Sequence, residues 1–125
     1  MPIISMDVDF NIHVDDKRNQ TVLDFFRHVL VRDTARTIES LLMNGGLGFE
    51  TDSCNIVDDL GNKMTEGVRF STYFYWNDIT HEVYISEQEF YDTLRLVVEC
   101  HLHSHPEDEA KLRKIFEKGN IPYRK

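Results

Sequence analysis

Val68-Arg69-Phe70-Ser71-Thr72-Tyr73-Phe74-Tyr75-Trp76, then Asn77-Asp78, then Ile79-Thr80-His81-Glu82-Val83-Tyr84-Ile85, is the stretch whose reading decides the fold. Val68, Phe70, Thr72, Phe74 and Trp76 alternate with Arg69, Ser71, Tyr73 and Tyr75, so the two sets point to opposite faces of a strand. Asn77-Asp78 has the composition of a hairpin turn, and residues 79–85 return. A two-residue loop predicts Trp76 opposite Ile79, Thr72 opposite Val83 and Phe70 opposite Ile85 on the buried face. The reverse face then carries Tyr73 beside Glu82 and Ser71 beside Tyr84.

Helices flank this hairpin on both sides in sequence. Ser86-Glu87-Gln88-Glu89 spells a capping box, which starts a helix running to about residue 104 with the stripe Phe90, Leu94, Val97, Val98 and His101. Pro106 is placed as the first residue of a last helix. Acids at 107–109 lie in its positive first turn, and Leu112, Ile115 and Phe116 form its core face. Upstream, Thr21 is expected to cap a helix carrying Val22, Phe25, Phe26, Val29 and Leu30. A second set, Val31, Ala35, Ile38, Leu41 and Leu42, falls on nearly the opposite side at 100° per residue. Either the helix breaks near Asp33-Thr34, two good N-caps, or one long helix is buried on different faces at its two ends; the long helix with a kink there is the favoured expectation, and Asn44-Gly45-Gly46 ends it. Residues 53–59 read as a short strand before a turn at Gly61-Asn62. Met6, Val8, Phe10, Ile12 and Val14 alternate with Asp7, Asp9, Asn11 and His13 as a first strand with an acidic face. The predicted order is β-α-β-β-β-α-α: one α+β domain over 1–125, an antiparallel or mixed sheet of about four strands covered by three or four helices.

Composition narrows the function classes. Against 14 Lys+Arg stand 22 Asp+Glu, a net charge of −8, and residues 1–60 hold 11 of the acids against 5 bases. Such a surface repels nucleic-acid phosphate and attracts basic proteins, faster at low salt. Cys54 and Cys100 stand apart, without a Cys-x-x-Cys pair, which fits a reducing compartment. Asp7 and Asp9 sit where a signal peptide would be apolar, and no run reaches the roughly 18 apolar residues of a membrane span. The expected location is the cytoplasm, without membrane or nucleic-acid contact.

No constellation is complete enough for chemistry. His103-Ser104-His105-Pro106 resembles part of the JAMM metalloprotease signature, but the downstream Ser-x-x-Asp is missing. His101 and His105 have the i, i+4 spacing of a helical metal pair, yet no third ligand is required by any spacing. Gly45-Gly46-Leu47-Gly48 follows a helix and reads as a cap and loop, not a phosphate loop. No catalytic residue, metal or cofactor is therefore expected. A small metal-dependent hydrolase using His101, His103 and His105 is the alternative, and an acidic regulatory module is another.

What remains is surface. Asp7, Asp9 and Asp15 belong to the first strand; Asp52, Asp58, Asp59 and Glu66 cluster about the second. Asp78 and Glu82 lie on the hairpin with Tyr73, Tyr75 and Tyr84. Acids that steer, interleaved with aromatics that anchor, make an interface to a basic protein.

The stretch Glu89-Phe90-Tyr91-Asp92-Thr93-Leu94, through His105-Pro106-Glu107-Asp108-Glu109, to Lys118-Gly119-Asn120-Ile121-Pro122 resembles the C-terminal helices of immunity proteins from bacterial contact-dependent growth inhibition (CDI) systems. The general plan is similar over the whole length, most of all to those that neutralise ribonuclease toxins. The resemblance implies a non-enzymatic inhibitor. Its partner would be a basic nuclease domain at the C-terminus of a large exported adhesin-like protein.

Overall fold

The computed structural model describes residues 3–124. Its centre is an antiparallel sheet of four strands in the order β3 (Gly46–Gly48), β4 (Asp52–Asn55), β5 (Val68–Phe74) and β6 (Ile79–Ile85). A separate two-stranded hairpin, β1 (Ser5–Met6) and β2 (Ile12–His13), precedes it. The helices are α1 (Gln20–Leu30), α2 (Thr34–Asn44), α3 (Glu87–Ser104) and α4 (Glu109–Lys118).

The helical layer lies on one face of the sheet. Cys54, Val68, Phe70 and Ile85 point into it and are buried. Phe70 is the hub: its ring centroid lies 5.5 Å from that of Phe25, 5.7 Å from that of Phe26 and 6.3 Å from that of Phe90. Aromatic clusters of this spacing bring large buried area plus favourable edge-to-face geometry. α3 starts on the expected capping box, with Ser86 Oγ accepting from the Glu89 N–H at 3.0 Å and Glu89 Oε1 from the Ser86 N–H at 2.8 Å. Its stripe Phe90, Leu94, Val97, Val98 and His101 is buried as read, and so are Leu112, Ile115 and Phe116 of α4.

Several local expectations are corrected. The first strand is a tight hairpin: the chain reverses at Asp7–Phe10, where the Phe10 N–H donates to the Asp7 carbonyl at 3.0 Å and Phe10 adopts φ 63°. The long helix is two. Asp33 caps α2 by accepting from the Arg36 N–H at 3.3 Å, and Thr34 Oγ1 donates back to the Val29 carbonyl at 3.1 Å. The break lets each apolar set face the core separately, and it leaves Val31 in solvent. Thr21 caps nothing; Asp16 caps a 3-10 turn at Lys17–Asn19 that leads into α1, and Thr21 is buried inside the helix. Likewise Pro106 opens a 3-10 turn, Pro106–Asp108, ahead of α4. Gly45 does end α2 in the left-handed conformation at φ 70°, but Gly46–Gly48 then form β3 instead of a loop. The strand read at 53–59 is β4, Asp52–Asn55, and its second half is a loop. Gly67, at φ 109°, has the Ile85 carbonyl where a Cβ would stand, so only glycine lets β5 begin against the end of β6.

The hairpin register is offset by two residues. Phe70 pairs with Val83, Thr72 with His81 and Phe74 with Ile79. The loop is therefore four residues, Tyr75–Asp78, with Asp78 at φ 55° in its last position. A shift of two preserves which face each side chain takes, because the strand period is two. It does move Trp76 off the sheet.

Candidate partner-binding surface

The sheet face turned away from the helices carries Ser53 and Asn55 from β4, Arg69, Ser71 and Tyr73 from β5, and Thr80, Glu82 and Tyr84 from β6. None of these is buried, and Tyr73 and Tyr84 are 40% and 41% exposed. Tyr84 lies opposite Arg69 and Glu82 opposite Ser71, not the Tyr73–Glu82 and Ser71–Tyr84 neighbours expected from a shorter loop. Arg69 is held on this face by Asn55, to whose side-chain oxygen its Nη2 donates at 3.2 Å, and by Glu82, 3.7 Å from its Nε.

Beyond this face the β5–β6 hairpin outruns the helical layer. Ile79 and His81 have the register of the inner face, yet both are exposed. At the tip Tyr75 and Trp76 are 72% and 69% exposed. The Tyr73 hydroxyl donates to Asp78 Oδ1 at 2.8 Å across the turn, and this bond raises the phenol's pKa above its ordinary value. Trp76 contacts the rings of Phe74 and Tyr75, with centroids 5.2 Å and 5.4 Å away. Sequence reading placed Trp76 and Ile79 on the buried face and so missed both. The signal was present in Tyr75-Trp76-Asn77-Asp78, which also fits a four-residue loop with Asp at the left-handed position.

The other anticipated acids do not join this surface as one patch. Seven residues at about 3.3 Å each separate the 75–78 turn from the Val68/Ile85 end by roughly 20 Å. Asp58, Asp59 and Glu66 lie at that far end, in the segment between β4 and β5, and are exposed. Asp58 is occupied there as a turn cap, accepting from the Leu60 and Asn62 N–H groups at 2.9 and 3.0 Å. Asp7 and Asp9 lie on the N-terminal hairpin, which docks on the C-terminal end of α3. Asp7 Oδ1 accepts from the Asp9 and Asn11 N–H groups, its Oδ2 lies 2.7 Å from His13 Nε2, and these bonds hold its pKa below 3.8. Asp15 is exposed between β2 and the turn before α1.

Asp52 is a correction. It is 5% exposed and faces the helices, accepting from Thr72 Oγ1 at 2.6 Å while His28 Nε2 lies 2.8 Å from its other oxygen. It serves the interior, where an unpaired carboxylate would be costly. Of the three C-terminal histidines two meet, the His101 and His105 rings stacking with centroids 4.7 Å apart, and the third turns elsewhere. His101 is buried with Nε2 2.8 Å from Asp108, which lowers the Asp108 pKa; His103 stacks on Phe10 at 3.6 Å; His105 is exposed at the helix end. Among the described residues no group of three or more His, Cys, Asp or Glu is placed to hold a metal.

The chain is thus an α+β domain whose open sheet face and aromatic hairpin tip stand clear of the core. In fold the chain is similar to the crystal structure of an immunity protein, NMB0503 from Neisseria meningitidis MC58, with a TM-score of 0.61 and 16% identity, over 81% of this chain and 87% of that one. The family model for the CDI immunity protein family CdiI_4 matches residues 18–116, so the chain belongs to that family. No curated protein matches it at a significant level. Membership implies a cognate toxin as binding partner. Among the described residues no helix is long and apolar enough to cross a membrane.

Proposed function

We propose that this chain neutralises a basic, RNA-cleaving toxin domain, carried at the C-terminus of a large exported adhesin-like protein, by binding it in the cytoplasm and without catalysis of its own. One observation carries the reading: the uncovered sheet face and its hairpin tip bring together Tyr73, Tyr75, Tyr84, Asp78 and Glu82, five of the residues that chemistry alone marks as an interface. The net charge of −8 adds long-range attraction toward a cationic partner. Asp9, Asp15, Asp58, Asp59 and Glu66, exposed around the rest of the molecule, contribute to steering more than to contact.

The experiment is co-expression with the protein domain encoded immediately upstream, followed by size exclusion, titration calorimetry at two salt concentrations and an RNase assay. A one-to-one complex, weaker at high salt, that abolishes RNA cleavage establishes the reading. Absence of a complex, or a complex whose partner keeps its RNase activity, rejects it. Reversing Asp9 and Asp15 to Lys, which spares the turn-holding Asp7, should slow association several-fold at low salt and leave dissociation unchanged. An unchanged association rate removes that end of the molecule from the encounter.

A further inference from the structure

We infer that the β5–β6 tip is a preformed aromatic wedge, anchored by Trp76, that seats in an apolar-walled cleft with a cationic rim on the toxin domain. The inference rests on the proposed function and names the contact within it. Of the nine large apolar or aromatic side chains exposed among the described residues, five lie between Tyr73 and Tyr84: Tyr73, Tyr75, Trp76, Ile79 and Tyr84. The other four are spread singly over the N-terminal turn, the α1–α2 junction, the end of α2 and the loop after β4. Scattered exposed side chains are ordinary, whereas these five share one hairpin, Tyr73 and Tyr84 on its outer face, Ile79 on the inner and Tyr75 and Trp76 at the tip, and such a concentration marks a binding surface.

The shape argues for insertion over flat docking. The tip extends past the helices, so both of its sides are open, and a cleft can close around it. Its conformation is already set before binding. The Tyr73–Asp78 hydrogen bond spans the turn, and the indole touches the Phe74 and Tyr75 rings while most of its surface stays in solvent. A rigid aromatic group loses little conformational entropy on binding, which favours affinity. Tryptophan and tyrosine are the side chains most enriched among interface anchors. Asp78 sets a carboxylate beside the aromatic group, while Glu82 already lies 3.7 Å from Arg69 Nε, so the rim of the receiving cleft should be cationic where it meets Asp78.

Trp76 is the sole tryptophan of the chain, which makes the test direct. Emission spectra of the complex with wild-type protein minus those with Trp76→Phe isolate the Trp76 signal, whatever tryptophans the toxin carries. The expected result is a blue shift on binding, protection from acrylamide quenching, and at least about 30-fold weaker binding for Trp76→Ala. Leu60→Ala, at a still more exposed side chain at the opposite end of the sheet, should leave affinity within about twofold. Unshifted, fully quenchable Trp76 emission in a complex that still forms and still inhibits overturns the wedge while leaving the proposed function intact. So does Trp76→Ala binding as tightly as wild type. Failure of the wild-type chain to form an inhibitory complex rejects the function itself.

Discussion

Two of the hairpins, the N-terminal one and β5–β6, are built with the same local devices and put to opposite uses. Each turns on a non-glycine residue in the left-handed region, Phe10 at φ 63° and Asp78 at φ 55°, and each is held by a carboxylate, Asp7 and Asp78. The N-terminal hairpin is folded onto the protein. Ile4 and Ile12 are buried, the Phe10 ring stacks on His103, and the Cys100 thiol donates to the Phe10 carbonyl at 3.0 Å. The β5–β6 tip faces outward, and its aromatic rings pack mainly on one another. Turn chemistry thus determines where a chain reverses, and the surroundings determine whether the reversal serves stability or recognition.

Core deletion separates the two most sharply. Ile4→Ala removes a side chain only 1% exposed and should destabilise the protein by about 2–5 kcal/mol in urea unfolding. Trp76→Ala should change stability by less than about 0.5 kcal/mol, because the indole is in water before and after. Comparable losses for the two would mean that the tip is folded into the core and is no free surface.

Phe10 tests what holds the docked turn. A β-carbon in the left-handed region costs about 1 kcal/mol, and here that cost is offset by packing on His103. With the ring removed, Phe10→Gly should be more stable than Phe10→Ala by about 1 kcal/mol, the reverse of the order in a helix. Equal stabilities would show that the left-handed φ of Phe10 carries no strain.

The two hairpins also show what could be read from sequence. Periodicity and capping are local, so α3, α4 and the faces of β5 and β6 were legible: Ser86-Glu87-Gln88-Glu89 and the alternation through Val68–Phe74 state their geometry outright. Loop length was not legible. Asn77-Asp78 fits a two-residue turn as well as the end of a four-residue one, and the observed register sets Val68 opposite Ile85, whose carbonyl closes on Gly67. The same limit hid the N-terminal reversal, since Asp7–Phe10 continues a perfect alternation and its turn depends on Phe10 finding His103, far along the chain. Asp52 was misjudged because a buried carboxylate looks like any other until Thr72 and His28 are brought to it. The tyrosines of the candidate surface were legible as faces, but their neighbours and the role of Trp76 waited on the register.

Acid should unsettle the docked hairpin first. Hydrogen bonds lower the Asp7 pKa from 3.8, so the folded state favours the ionised form. That contribution is fully present above pH 3.8 and is lost as pH falls through the depressed value. Asp7→Asn should therefore be less stable than wild type at neutral pH, and the two curves should converge below pH 3.8. A constant gap across that range assigns the effect of Asp7 to the shape of the turn and not to its charge.

The smallest effect lies at the tip, at the alkaline end. The Asp78 carboxylate raises the Tyr73 pKa above 10.0 by accepting its proton in a hydrogen bond, so the bond's contribution is fully present below pH 10.0 and fades as pH rises through the raised value. Asp78→Asn removes the charge but keeps an acceptor, and should return Tyr73 toward the ordinary phenol value with little change in the unfolding midpoint. The difference between wild-type and Asp78→Asn tyrosinate absorbance, followed against pH, isolates this one phenol among the five tyrosines. If the two titrations coincide, the Tyr73–Asp78 bond does not persist in solution, and the tip reaches its partner as a flexible loop that must be ordered on binding. If they differ as expected, the contrast between the hairpins lies only in what they face, since both are held rigid by a carboxylate across the turn.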